Sequence, residues 1–280
     1  MKRFKNVLVV GSEGAGFSRV LAEAAGIARR NHADIRILGV VEPGRADRRV
    51  VLQDGSELDV QGILVDSVRE QMVQAAAAHS DLDIAVDVVT GRGFVEVIRA
   101  AVAGGHDLVV VGTEEPRRRL AGSSMAMHLL RKCPVPVWVE NGNDSLGADV
   151  AVAVGPVEED GHHSDLNRTL LELGSSLAVI RGGSLHVIHA WRLVGESLLR
   201  KGRFRPASDQ VDMMVEATRD NAKEGLDRLV QGIERSGADV VVHFDQGESA
   251  TVVPKVLDEV RPGVVVMGTL ARAGLRGVLM

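Results

Sequence analysis

Tyrosine is absent from the chain, and five phenylalanines and two tryptophans are its whole aromatic content in 280 residues. Proteins that hold single-stranded nucleic acid stack bases on aromatic faces, and this composition offers almost none. The 33 Lys and Arg do not outnumber the 38 Asp and Glu, and a formal net charge of -5 argues against a nucleic-acid partner as well. One cysteine, Cys133, excludes an internal disulfide framework and any multi-cysteine zinc site, and fits a reducing compartment. No apolar run approaches the roughly 18–20 residues of a membrane span. The basic start Met1-Lys2-Arg3-Phe4-Lys5 is followed by the run Val7–Val10, too short for the core of a secretion signal. A soluble, cytoplasmic protein is expected, with neither nucleic acid nor a membrane as partner.

What the chain does have is apolar aliphatic residues and an internal repeat. Hydrophobic residues make up 45% of it, enough for real cores. Val7-Leu8-Val9-Val10-Gly11 corresponds to Val150-Ala151-Val152-Ala153-Val154-Gly155. Ile35-Arg36-Ile37-Leu38-Gly39-Val40-Val41 corresponds to Leu185-His186-Val187-Ile188-His189-Ala190-Trp191. Asp107-Leu108-Val109-Val110-Val111-Gly112-Thr113 corresponds to Gly263-Val264-Val265-Val266-Met267-Gly268-Thr269. The separation of the paired glycines, 155 − 11 at the start and 268 − 112 at the end, grows along the chain, so the second copy carries insertions. This is a domain duplication, with domains expected at 1–141 and 148–280 and a turn-rich linker between them.

Within each copy, short β-branched runs alternate with helical patterns. In the first, the strand Val7–Val10 precedes an amphipathic helix over Phe17–Arg30 and a strand Ile35–Val41. A variable polar stretch, Pro43 to Gln61, leads to a helix over about Gly62–His79. Strand Ile84–Val89, helix Phe94–Ala103, strand Leu108–Val111, a helix over about Ser124–Lys132 and strand Val135–Val139 complete it. The second copy runs through Leu166–Ile180, Leu185–Trp191, Val211–Arg235, Val240–Phe244, Val252–Val260 and Val264–Met267. The expected fold is α/β: two tandem Rossmann-like domains, each built on a parallel five-stranded sheet with helices on both faces, the second lacking its last helix and strand.

In open parallel sheets a ligand sits beyond the carboxyl ends of the strands, where the strand order reverses. Gly11, Ser12 and Glu13 leave the first strand, and glycines there permit close backbone approach while amides at a helix start attract anions. Gly112 and Thr113, followed by Gly122, Ser123 and Ser124, can hold a phosphate through amides and hydroxyls. The plainer role of Ser123 or Ser124 is a helix N-cap. The Arg117-Arg118-Arg119 run reads as a solvated loop before it reads as an anion site. Backbone groups near Val40 and Val41 can read a flat ring. Gly155, Gly268 and Thr269 are the counterparts in the second copy. The first loop matches neither the dinucleotide nor the Walker phosphate motif.

These residues together resemble the universal stress protein family in its tandem-domain form. The resemblance rests on Val-Val-Gly-Thr or Val-Met-Gly-Thr closing the fourth strand, a Gly-Ser before the next helix, and Cys133-Pro134-Val135-Pro136-Val137 leading into the fifth strand. Leu166-Asn167-Arg168, His189-Ala190-Trp191 and Gly268 to Gly274 add to it. It implies an adenine nucleotide α-hydrolase-like fold, dimer-like pairing of the two domains and a role in stress response. Many members bind ATP through a carboxylate after the first strand and a Gly-x-x-Gly-x9-Gly-Ser/Thr loop. Here the carboxylate position falls on Gly11 or Ser12 and on Gly155, Glu115 replaces the second glycine of the first copy, and Ala271 that of the second. The expectation is a non-catalytic scaffold or small-ligand sensor with eroded ATP motifs, in which ATP or another adenine nucleotide binds weakly or not at all. The alternative is an adenine-nucleotide-binding protein with slow ATP hydrolysis. In this family the fifth strands commonly pair across an interface; the second copy has no counterpart to Val135–Val139, and the strand edge left unpaired predicts a homo-oligomer.

No other constellation points to chemistry. His186 and His189, three apart on a strand, face opposite sides and cannot share a metal. His162-His163 reads as a flexible turn, Cys133 as buried and not nucleophilic, and the segment with Met213 and Met214 as a packed amphipathic helix. Neither catalytic residues nor a metal site are expected.

Overall fold

The computed structural model describes residues 4–12, 16–42, 50–51, 57–113, 125–142, 147–156, 162–202, 206–233 and 237–268. Two compact units divide between Asn143 and Asp144. The first contains β1 (Asn6–Val10), α1 (Gly16–Asn31), β2 (Asp34–Val41), β3 (Val50–Val51), β4 (Glu57–Leu58), α2 (Val60–Ala77), β5 (Ile84–Thr90), α3 (Gly93–Ala103), β6 (Leu108–Gly112), α4 (Met125–Lys132) and β7 (Val137–Glu140). Its five-stranded sheet has the order β5-β2-β1-β6-β7, all neighbours parallel. The second unit contains β8 (Val150–Ala153), α5 (His162–Arg181), β9 (Leu185–Trp191), α6 (Glu196–Lys201), α7 (Ser208–Gln231), β10 (Val240–Gln246), α8 (Ser249–Val260) and β11 (Val264–Met267). Its described sheet is four-stranded and parallel, ordered β10-β9-β8-β11. The expected α/β class and the shorter second sheet are therefore present.

Both central strands are apolar on both faces because helices cover both. Leu8, Val10, Leu38, Val109 and Val111 pack on Val97, Ile98 and Ala101 of α3 and on Ala126 and Leu129 of α4. The buried stripe of α1, from Phe17 through Val20, Leu21, Ala24 and Ala28, belongs to the opposite layer. In the second unit Val150, Val152, Leu185 and Val187 meet Leu170, Leu171 and Ala178 of α5 and Leu226 of α7. Val252 and Val256 of α8 cover Ala151 and Ile188 on the other side.

Element boundaries moved for identifiable reasons. Helix α2 starts two residues before the expected Gly62 because Asp59 caps it, accepting from the Gly62 amide at 3.0 Å. Strand β7 begins at Val137, after Pro136, whose nitrogen cannot donate but whose carbonyl accepts from the Val109 amide at 3.0 Å. His162 and His163 are not a flexible turn: they open α5, whose first turn carries Asp165, favourable at the positive end of the helix dipole. Met213 and Met214 are exposed, and the buried positions of α7 are Val211, Gly225 and Leu226. The polar stretch holds the antiparallel pair β3–β4, and α6 is an unforeseen short helix.

Helix α5 approaches β8 closely at Gly174, where a Cβ would lie 2.2 Å from Val152 Cγ2. Gly174→Ala therefore forces helix and strand apart, and urea denaturation will show a loss of about 1–3 kcal/mol. Gly16→Ala, at a helical position with open space around it, will leave stability unchanged or slightly raised.

Candidate functional site

In the first unit the strand order reverses between β1 and β6, which run side by side with Val9 opposite Val110, so Gly11 and Gly112 leave the sheet at the same end. The Gly11 amide donates to the Leu38 carbonyl at 2.9 Å and extends the ladder. Above it lies Met72 of α2, 3% exposed. A Cβ on Gly11 would lie 2.1 Å from Met72 Cε, and a Cβ on Gly39 would lie 2.9 Å from both Met72 Cε and Val68 Cγ1. Two glycines on neighbouring strands thus make a notch that the methionine fills. A side chain at position 11 requires the end of the Met72 chain to move aside.

The other predicted residues of this end have structural partners. Ser12 is exposed beside Gly11. Val41 is buried, and its carbonyl accepts from the Gly91 amide at 3.0 Å, toward β5. Gly112 allows α1 to approach, since a Cβ there would lie 2.8 Å from Val20 Cγ2. The Thr113 amide donates to the Glu140 carbonyl at 2.9 Å, leaving an exposed side chain. Glu42, just past β2, accepts from the Gly93 amide at 3.2 Å and occupies the N-terminus of α3. Glu13, Gly122, Ser123, Ser124 and Thr269 lie outside the described residues, as does the Arg117–Arg119 run.

In the second unit the same end is filled differently. Gly155, after β8, is clasped by Asn167 of α5, a side chain 2% exposed: the Gly155 amide donates to Asn167 Oδ1 at 3.0 Å, and Asn167 Nδ2 donates to the Gly155 carbonyl at 3.4 Å. His189 stands where the first copy has Gly39. It is 2% exposed, its ring N–H is directed to the backbone of Val154 and Gly155, and its Nδ1 has no partner among the described residues. Burial pushes its pKa down, against the opposing pull of those backbone groups. Phe244 stacks on His189 at 5.9 Å and on Trp191, at the position of Val41, at 5.8 Å between ring centroids. Gly268 repeats the role of Gly112, with a Cβ there 2.9 Å from Leu166 and 3.0 Å from Leu170.

The residues that shape these ends most, Met72, Asn167, His189 and Trp191, are not among the predicted ligand residues. The signal for His189 and Trp191 was present: aligned copies with glycine in one and a bulky ring in the other mark a place where space is filled by different means. Met72 carries no such mark, since nothing in α2 says which of its residues reaches the strand ends.

The model of the family described as universal stress proteins matches residues 3–139. Universal stress protein E of Photorhabdus laumondii is 25% identical over 292 aligned positions, covering 100% of this chain and 90% of its own. Residues 3–139 belong to the universal stress protein family, and the full chain shares the tandem-domain architecture of universal stress protein E. Two solved structures share the fold of both copies. A universal stress protein from Archaeoglobus fulgidus has a TM-score of 0.63 and 16% identity, covering 97% of this chain and 88% of the other. A functionally unknown protein from Pseudomonas aeruginosa has a TM-score of 0.65 and 19% identity, with 99% and 86% covered. Measured against the universal stress protein motifs, the places of the carboxylates hold other groups: the Met72 side chain packs over Gly11, and the buried amide of Asn167 clasps Gly155.

Among the described residues no group of three or more His, Cys, Asp or Glu is placed to hold a metal ion. Cys133 is half-buried, and burial pushes its thiol pKa up, away from the reactive thiolate. No helix of the described residues is long and apolar enough to cross a membrane.

His106, His189 and His243 all have pKa values lowered from 6.5, each chiefly by burial. In the unfolded chain they take up protons near that ordinary value, whereas in the folded chain they resist until lower pH. Stability will therefore be full above about pH 6.5 and will fall as the pH drops below it. Denaturant titrations between pH 7.5 and pH 5 will show this slope, and His189→Gln will flatten part of it.

Proposed function

We propose that this universal stress protein is a non-catalytic scaffold or small-ligand sensor, whose own side chains occupy the places where the family resemblance puts an adenine nucleotide. Its domains are 1–141 and 148–280, within a cytoplasmic chain. The observation that carries the reading is Met72 seated over Gly11 and Gly39. A nucleotide needing that space must displace a buried methionine, at about 1.5–3 kcal/mol, which weakens binding roughly ten-fold to more than a hundred-fold. The absent carboxylate removes a further charged hydrogen bond of about the same worth. Trp191 and His189 act in the same sense in the second unit.

Calorimetric titration with ATP is expected to give no heat of specific binding at micromolar concentrations, and Met72→Ala to bind at least as well as the unaltered chain. Micromolar affinity of the unaltered chain overturns the reading and favours a nucleotide-binding protein with slow ATP hydrolysis.

Self-association belongs to the same proposal. Among the described residues β11 pairs with β8 alone, and Val265 and Met267 are 42% and 58% exposed. A sheet edge of that character favours pairing with a further strand, supplied by a second copy of the chain. Sedimentation equilibrium will report a mass above that of the single chain, and a monomer at all concentrations would contradict it.

A further inference from the structure

In the second unit two imidazoles meet on the sheet face covered by α8, away from the filled crevice. His186 of β9 and His243 of β10 lie on neighbouring parallel strands, in a register that sets His186 opposite Val241 and Ile188 opposite His243. His186 Nδ1 and His243 Nε2 are 2.9 Å apart, and the ring centroids are 5.2 Å apart. That centroid distance is reached only when both nitrogens lie on the line joining the rings, so they face each other directly. Both rings are partly buried, and Val252 and Val256 of α8 pack on the same face at Ile188.

Two nitrogens at this distance share one hydrogen: one ring donates and the other accepts. The contact survives a first added proton, because an imidazolium then donates to a neutral ring and the bond becomes charge-assisted. Asp149 favours that state. Its Oδ1 accepts from the Ser184 amide at 2.8 Å, and its Oδ2 lies 3.7 Å from His186 Nε2. A second added proton breaks the contact. Every ring nitrogen then carries a hydrogen, so two N–H groups point at each other and two like charges are side by side. Other charged groups reach this region from β10 and α8. Burial and the charge of His186 oppose a proton on His243, whereas Asp245 and Glu259 of α8 favour one. Asp245 is itself 4.0 Å from Lys255 of α8, and Asp239, just before β10, accepts from the Ser184 hydroxyl at 3.4 Å.

We infer that the His186–His243 contact is an acid-operated latch on β10, closed while the pair holds at most one extra proton and opened by the second. Strand β10 ends its sheet and pairs with β9 alone among the described residues, so it is the strand that an open latch frees. Free imidazoles take up protons near about pH 6.5. The open pair takes two where the closed pair takes one, so falling pH drives the opening. The first unit has no such device, since the Arg36–Asp87 ion pair spans its matching strands.

Hydrogen exchange on the full chain at pH 7.5 and pH 5 tests the latch, with each amide corrected for its intrinsic rate at that pH. At pH 5 the β10 amides will lose about ten-fold or more of their protection relative to those of β8. His243→Gln, which leaves His186 a partner at either charge, will abolish that relative loss. In nitrogen-15 spectra of the unaltered chain, the His186 and His243 rings will titrate in two separate steps, each felt by both rings. Protection lost equally from β8 and β10, a relative loss that persists in His243→Gln, or two rings that titrate independently would each overturn the inference.

Discussion

One seated side chain organises the ligand-facing end of this protein. Strands β1 and β2 bring Gly11 and Gly39 alongside each other, and the absence of two Cβ atoms opens a notch that Met72 fills from α2. Methionine suits the task because its unbranched, polarizable chain fills irregular gaps. The contact closes the apolar layer between sheet and helix, and the end of the Met72 chain occupies the space beside Gly11.

The duplicated unit shows which positions the fold needs and which it leaves to change. Both copies keep a glycine at the end of the strand that follows the reversal, and in both a helix packs on it, through Val20 in one and Leu166 and Leu170 in the other. The notch was not kept. Where the first unit has Gly39 and a methionine from elsewhere, the second has a buried His189 that fills the space from its own strand. The other face of the sheet has diverged in a parallel manner. The Arg36–Asp87 ion pair across β2 and β5 becomes a His186–His243 pair across β9 and β10, with ring nitrogens 2.9 Å apart and Asp149 3.7 Å from the far nitrogen of His186. A cross-strand ion pair has become a pair of imidazoles in contact.

Much of the fold was legible because its signals are local and repeated. Val7–Val10 and Leu108–Val111 read as strands covered on both faces, and the spacing of Phe17, Val20, Leu21, Ala24 and Ala28 gave the buried face of α1. The duplication was readable from three paired segments. The short elements were not: α6 and the β3–β4 pair are too brief to carry a period. The opposite faces of His186 and His189 followed from strand alternation, and the structure pairs the first with His243 and the second with Phe244. The candidate site was legible only as an absence, two missing carboxylates. What fills it was hidden, because Met72 and Asn167 reach the strand ends by tertiary packing between segments far apart in sequence.

The central claim concerns Met72, and its methyl group reports on it directly. With the methionine methyls labelled, nuclear Overhauser contacts from the Met72 methyl to the α-protons of Gly11 and Gly39 should be present in the free protein and persist unchanged when millimolar ATP is added. Loss of those contacts as the nucleotide is titrated would show that the notch opens to a ligand, and would contradict the account.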